Sequence, residues 1–345
     1  MSLPAYPTPR HVAGAIGPSA RDYDADVIIL ALDRAEETVA AIASARAQTG
    51  IVKHVWVADQ GSRPENLAVL AKAVDGAPDA TLVQLDQNWG VAGGRNRATG
   101  LGTGRCIFAL DNDAEFAGPC TLAQAARALE LEPDLAAIAC RILVYATGAD
   151  DLSSWGYPPG LLPRSAESFD VVTFVGAGHA IRRSDFEAAG GYDDALFFCW
   201  EEYDFALRAI NMGRRIRYRG DIAVRHKVSG ERRFAWNGTR WFHFVRNRIY
   251  IGLKYGSSLP ALLPRYLAYQ VKGARNGVLG QGLRAGPAAL RLARAFRPGP
   301  ETAALYQLSQ AARDYIARND AAHRGDMPQR VRAEILAALP GVAAR

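Results

Sequence analysis

The stretch Cys106-Ile107-Phe108-Ala109-Leu110-Asp111-Asn112-Asp113 decides how this chain is read. Five apolar residues bounded by polar ones have the length of a buried strand. They run directly into two carboxylates one residue apart. A strand that empties into acids presents hard oxygen ligands at the rim of a sheet, where a divalent cation can bridge protein and diphosphate. The same triplet also suits an acidic turn, or the N-cap of a helix starting near Cys120. The flanking sequence has to separate these readings.

Upstream, Val27 to Leu32 reads as a buried strand and Ala35 to Gln48 as a helix ended by Gly50. Val52 to Ala58 repeats the pattern, ends at Asp59-Gln60-Gly61-Ser62, and Pro64 opens a second helix. Strand-helix units in succession predict a parallel sheet with its binding edge at the carboxyl ends of the strands. A third strand, Thr81 to Leu85, leads into Asn88-Trp89-Gly90-Val91-Ala92-Gly93-Gly94-Arg95-Asn96-Arg97. Asp33, Asp59, this glycine-rich segment and the Asp111/Asp113 pair therefore fall on one edge of one sheet.

Downstream, Asp150 to Phe169 is rich in Gly, Pro, Ser and Trp, a long connection of the kind that serves as a functional loop. Val171 to Val175 is strand-like, Ser184 to Ala189 reads as a short helix capped by Ser184, and Glu202 to Met212 as a helix stopped by Gly213. There is no internal repeat.

At 345 residues, with 49% hydrophobic and 22% charged residues, the chain can bury a large core. Residues 1–22 lack the apolar run of a secretory signal and read as a flexible leader, which points to a cytoplasmic protein. No apolar run reaches the length of a membrane span. Cys106, Cys120, Cys140 and Cys199 form no CxxC pair, which argues against a zinc site or a disulfide framework. The formal charge of +6 is uneven, concentrated in Arg214 to Arg248 and again in Lys254 to Arg297. The second stretch alternates basic with aliphatic residues, which suits either a packed helical appendage with a solvated basic face or peripheral contact with an anionic membrane. No signature of a nucleic-acid-binding module is present, so no nucleic acid is expected.

Three segments carry candidate chemistry. The Gly90 to Arg97 loop lets backbone approach a ligand and offers arginines to phosphate oxygens, although it has neither a P-loop ending nor a dinucleotide fingerprint. Phe197-Phe198-Cys199-Trp200-Glu201-Glu202-Tyr203-Asp204-Phe205 runs an aromatic cluster into three acids at a helix start. Such acids suit the helix dipole, but an apolar wall also raises a carboxylate's proton affinity and fits it for general-base work. His226 follows a strand-like segment close in sequence to Ser229 and Gly230; it is either a satisfied structural histidine or an additional metal ligand.

Taken together these segments resemble the family 2 glycosyltransferases of the GT-A fold, over about Asp26 to Tyr255. Asp59 resembles the family's nucleotide-contacting acid, and Asn88, Gly90, Arg95 and Asn96 its Asn-x-Gly...Arg-Asn segment. Asp111-Asn112-Asp113 corresponds to the DxD motif. The acceptor-side segment is matched by Gly176-Ala177-Gly178-His179-Ala180 with Gly190-Gly191-Tyr192-Asp193, and the ED motif with its helical Arg by Glu201-Glu202-Tyr203-Asp204-Phe205 and Arg208. His226 looks like a later histidine of some members. Two departures stand out: Ala31-Leu32-Asp33-Arg34 replaces the usual polar-aromatic-Asn end of the first strand, and Glu-Glu replaces Glu-Asp.

The resemblance implies an α/β fold of GT-A type, a Rossmann-like mixed sheet flanked by helices. It spans residues 23–255 as a nucleotide-binding half (23–118) and an acceptor half (119–255), followed by a helical extension over 256–345. It further implies an inverting transfer from a nucleoside-diphosphate sugar to a hydroxyl of a glycan or lipid-linked acceptor, in the manner of bacterial rhamnosyltransferase-like enzymes of envelope polysaccharide assembly. Glu202 is the expected base, with Glu201 and Asp204 as neighbours able to take the role. Asp33, Asp59, Asn88, Gly90, Arg95, Asn96 and Asp111 are expected on the donor side, and Gly178, His179 and Trp200 on the acceptor side. Asp113, Asp111 and His226 are expected to hold Mg2+ or Mn2+. The rival classes are a sugar-nucleotide nucleotidyltransferase, whose glycine-rich basic loop after the first strand is not found at Asp33 to Val39, and a basic module that binds membrane or nucleic acid without catalysis.

Overall fold

The computed structural model describes residues 6–18, 23–227, 238–326 and 329. Parts of the expected leader and helical extension, together with Ser229 and Gly230, lie outside the described residues.

Four parallel strands form the N-terminal half of the sheet: β2 (Ala25–Ala31), β3 (Lys53–Asp59), β4 (Ala80–Gln84) and β5 (Cys106–Leu110). Chain order and spatial order differ. The sheet runs β4-β3-β2-β5, so the chain reverses direction across the sheet between β2 and β5. At that switch the crossovers diverge to opposite sides and leave a crevice outside the carboxyl ends of the strands. Arg34 and Asp111 stand at its two lips.

Along each strand the side chains alternate between two cores. Val27, Ile29, Val55, Val57, Phe108 and Leu110 face one layer, with helices α1 (Ala35–Arg46), α2 (Pro64–Val74) and α4 (Thr121–Leu131). Ile28, Trp56, Ala58 and Ile107 face the other, with helices α3 (Gly90–Thr99) and α6 (Glu201–Asn211). Each fully buried Val, Ile or Leu in these layers contributes roughly 1.5–3 kcal/mol. At the opposite edge, fully buried Asp26 accepts hydrogen bonds from Tyr23, Trp56, Gly104 and Arg183, which leaves its carboxylate satisfied.

The following half of the chain extends the same sheet with β9 (Gly178–Arg182), antiparallel to both β5 and β7 (Leu135–Val144). β10 (Arg215–His226) follows β7 in parallel, and β6 (Ala114–Phe116) and β8 (Ser168–Val171) pair with β10 in antiparallel register. The strand expected over Val171 to Val175 lies earlier, at Ser168–Val171. The short helix α5 (Arg183–Ala188) begins one residue before Ser184, which therefore does not cap it.

The leader departs from expectation: Arg10–Gly14 forms β1, antiparallel to β4. Its sequence has no strand periodicity, and the pairing is dictated by the otherwise open edge of β4. The helices α7 (Gly238–Lys254), α8 (Leu259–Arg275), α9 (Leu279–Ala295) and α10 (Gln310–Asn319) complete the fold. Leu262, Ala289, Ala312 and Tyr315 from this region join the core that packs on one face of the sheet. The Tyr315 hydroxyl also reaches the backbone of Ile216 and Val171.

Candidate active site

Asp111 and Asp113 stand where β5 ends. Asp111 is part-exposed, while the Asp113 carboxylate is almost wholly buried and pairs with Arg34 at 2.7 Å. His226, at the end of β10, lies with its Nε2 3.3 Å from Asp113 Oδ1. Its other nitrogen, Nδ1, is 2.8 Å from Asp151 Oδ2. Burial disfavours ionisation of Asp151, but hydrogen bonds from His226, Ser153 and Ser154 outweigh it and hold the carboxyl below the usual range. A carboxylate behind a histidine fixes the ring and aims its second nitrogen, the arrangement found behind metal-ligating histidines.

Asp111, Asp113 and His226 each offer a ligand atom, and all three atoms lie within 4.8 Å of one another. Two carboxylate oxygens and an imidazole nitrogen form a donor set for a divalent cation. The Arg34 guanidinium, placed directly on Asp113, shows that this spot attracts positive charge. The residues fit a divalent cation.

Arg95 links this edge to the acids of α6. It is buried on α3 and donates from Nη1 to Glu202 Oε1 at 2.9 Å, and from Nη2 to Asp111 Oδ1 and the Gly176 carbonyl, both at 2.8 Å. A Cβ at Gly176 would lie 2.8 Å from Glu202 Oε1, so a side chain there would displace the Glu202 carboxylate. Burial raises the proton affinity of Glu202, against the pull of Arg95. Glu201 is raised further, by burial and then by the neighbouring Glu202 charge, and its Oε2 has no hydrogen-bond partner.

The loop that delivers these acids is strained. Phe197, Cys199 and Trp200 have φ of 61°, 70° and 73°, values that side chains with a Cβ adopt at a cost. Asn247 on α7 holds the loop from behind, donating to the Leu196, Phe198 and Cys199 carbonyls at 2.8 Å each. From the front, the Val91 amide at the start of α3 donates to the Phe197 carbonyl at 2.6 Å. Gly90, with φ of 70°, makes that contact possible, because a Cβ there would strike the Phe197 carbonyl. Asn88 accepts from the Gly90 amide and shapes the same turn.

Several residues nominated from sequence are engaged within the protein. Asp59 is fully buried and accepts from the Gly61 and Ser62 amides and from Gln84, which shapes the rim. Asn96 clasps the backbone of Tyr192 and the Asp194 side chain. Asp33 accepts from the Arg63 amide and Asn66, which lower its pKa in that order. Asp204, placed among the possible bases, is fully buried and bound by Lys254 and Arg208.

On the acceptor side, Gly178 and His179 lie in β9, inside the sheet. A side chain at Gly178 would strike Val224. His179 is fully buried between the Val175 carbonyl and the Tyr192 hydroxyl, and burial, then Arg95, depress its pKa well below the usual value. Both pack the strand that follows Gly176. Trp200 does remain at the loop, part-exposed, with its indole N–H on the Phe244 carbonyl. The residues that sequence did not single out as functional are Arg34, Asp151 and Asn247. Arg246-Asn247-Arg248 is conspicuous in the chain but carries no local sign of the loop it holds.

The fold is of the GT-A type. Residues 26–190 match the model of glycosyl transferase family 2. The succinoglycan biosynthesis protein ExoO of Rhizobium meliloti (strain 1021) is 38% identical over 90 residues, 26% of this chain and 25% of that protein. The O-antigen biosynthesis protein RfbC of Myxococcus xanthus is 23% identical over 216 residues, 57% of this chain and 17% of that protein. The matched regions thus span a quarter or less of the length of these relatives.

Among solved structures, the mannosyltransferase PcManGT from Pyrobaculum calidifontis, in complex with GDP-Man and Mn2+, has a TM-score of 0.57 at 20% identity. The match covers 94% of this chain and 88% of that one. GalNAc-T7 with UDP, GalNAc and Mn2+ has a TM-score of 0.51 at 16% identity, covering 68% and 51%. At these identities the likeness is one of fold.

Proposed function

We propose that this protein transfers a sugar from a nucleoside-diphosphate sugar to a hydroxyl of a glycan or lipid-linked acceptor, with inversion at the anomeric carbon, in bacterial envelope polysaccharide synthesis. The observation that carries the reading is Arg95, which hydrogen-bonds Glu202 with one nitrogen and Asp111 with another. A single guanidinium therefore separates the acid suited to proton abstraction from the edge suited to a diphosphate.

In this reading Glu202 accepts the acceptor hydroxyl proton as that oxygen attacks the anomeric carbon from the face opposite the leaving diphosphate. Its raised proton affinity strengthens it as a base, and Arg95 fixes its orientation. Asp113, Asp111 and His226 would hold Mg2+ or Mn2+, which supplies electrostatic stabilisation of the departing diphosphate when bound. Arg34, at the same edge, offers a forked donor to phosphate oxygens. Work on a cytoplasmic donor pool fits this chemistry.

The test is thermal denaturation with a panel of nucleoside diphosphates, each with and without Mn2+. A specific nucleotide at about one hundred times its Kd adds about 2.7 kcal/mol to apparent stability. A nucleotide that stabilises the protein more with Mn2+ than without supports the reading. Failure of every nucleotide in the panel to shift the melting temperature overturns it. Inversion is read from the anomeric configuration of the product by NMR.

A further inference from the structure

Helix α8 buries one side against α7 and α9 and leaves an apolar stripe on another. Leu259, Leu263, Leu267 and Val271 recur every four residues and are 43–56% exposed. At 100° per residue they cover about 120° of the helix surface. On α9, Leu279 and Leu283 are exposed with the same spacing. Scattered exposed leucines are ordinary, but four large apolar side chains at one-turn spacing along a single helix face form a stripe of the kind that marks a contact surface.

The charge around this stripe identifies its partner. Residues 256–300 contain seven Lys and Arg and no Asp or Glu, against a formal charge of +6 for the entire chain. The whole positive excess therefore lies here. Arg275 follows Val271 by about 40° round α8, with Lys272 and Arg265 beyond it. Arg284 follows Leu283 on α9. An apolar stripe flanked by cations and free of acids is suited to the interface of an anionic bilayer, where leucines enter the headgroup region and cations meet lipid phosphates. None of the described helices is long and apolar enough to cross a membrane, so the helices would lie along the surface.

We propose that α8 and α9 dock this protein on an anionic membrane surface through the Leu259-Leu263-Leu267-Val271 stripe. The same helices pack on α7, whose Asn247 holds the Glu201/Glu202 loop. The docking surface is therefore built onto the acceptor side of the cleft. This inference does not depend on the identity of the transferred sugar.

The full-length protein is floated with vesicles of phosphatidylcholine alone and of phosphatidylcholine mixed with phosphatidylglycerol. The wild type is expected to float at least about tenfold more with the anionic vesicles, and to lose most of that binding as salt is raised. The double variant Leu263→Glu/Leu267→Glu should stay at the bottom of the gradient with an unchanged melting temperature. Lys272→Gln/Arg275→Gln should bind more weakly while keeping its fold. A wild type that stays at the bottom with anionic vesicles at low salt overturns the proposal, as does a leucine variant that floats as well as the wild type. A concentration-dependent dimer that the leucine variant abolishes, without flotation, assigns the stripe to a second copy and likewise overturns it.

Discussion

Asp111 and Asp113 stand at the end of a buried strand, whereas Glu201 and Glu202 are delivered by a strained loop that α7 grips from behind. The strand pair needs little beyond the sheet: β5 is hydrogen-bonded on both sides, and its direction fixes where the acids emerge. The α6 acids depend on distant support. Asn247 ties three loop carbonyls, and Lys254, one end of the same helix, joins Asp193 to fully buried Asp204. One side of the cleft is thus positioned by local chain direction and the other by contacts made about fifty residues later. The proposed transfer requires both, so they are expected to fail in different ways.

The largest effect belongs to the base. Glu202→Gln keeps the shape and the Arg95 contact but cannot take up a proton, so turnover should fall roughly 10² to 10⁴-fold with donor affinity nearly unchanged. Both quantities are measured on one preparation, so that misfolding is not mistaken for lost chemistry. If Glu201→Gln loses turnover instead, the base is the neighbouring acid.

Lys254→Met should come next. It strips the cation from fully buried Asp204 and part-buried Asp193 and is expected to cost about 3–5 kcal/mol in urea unfolding. Asn247→Ala leaves loop carbonyls without a donor and should cost about 2–3 kcal/mol. Turnover should fall in Asn247→Ala while nucleotide affinity holds, because the strand side of the cleft is untouched. A matching loss of nucleotide affinity would remove the distinction between the two sides.

The smallest effect is a pH-dependent one. The Glu201 pKa is raised in the folded state, so its penalty is absent at low pH and appears as pH rises and the buried group loses its proton. Glu201→Gln should therefore stabilise the protein by about 1 kcal/mol near neutral pH. It should do less near about pH 5, where the wild-type group keeps its proton. Melting curves of both proteins across pH check the sign.

This contrast also explains what was legible in the chain. Asp111 and Asp113 could be read because a five-residue apolar run has one strand direction and one exit. Asp59 and Asn96 were read at the right edge, but their orientation is set by Gln84 and Tyr192, partners that no local pattern names. His179 follows Gly-Ala-Gly, which carries no strand signal, yet pairing with β5 and β7 makes it a strand. Asp151 and His226 meet across 75 positions, and Arg34 and Asp113 across 79. Those contacts arise only from the closed topology.

The central claim is that Asp113 anchors a cation that helps the cleft hold a nucleoside diphosphate. Calorimetry of wild type and Asp113→Ala, using the nucleotide that stabilises the protein most, tests it with and without Mn2+. The account predicts that Mn2+ tightens nucleotide binding at least about tenfold in the wild type, about 1.4 kcal/mol, and not at all in the variant. An equal Mn2+ effect in both proteins, or none in the wild type, would contradict it.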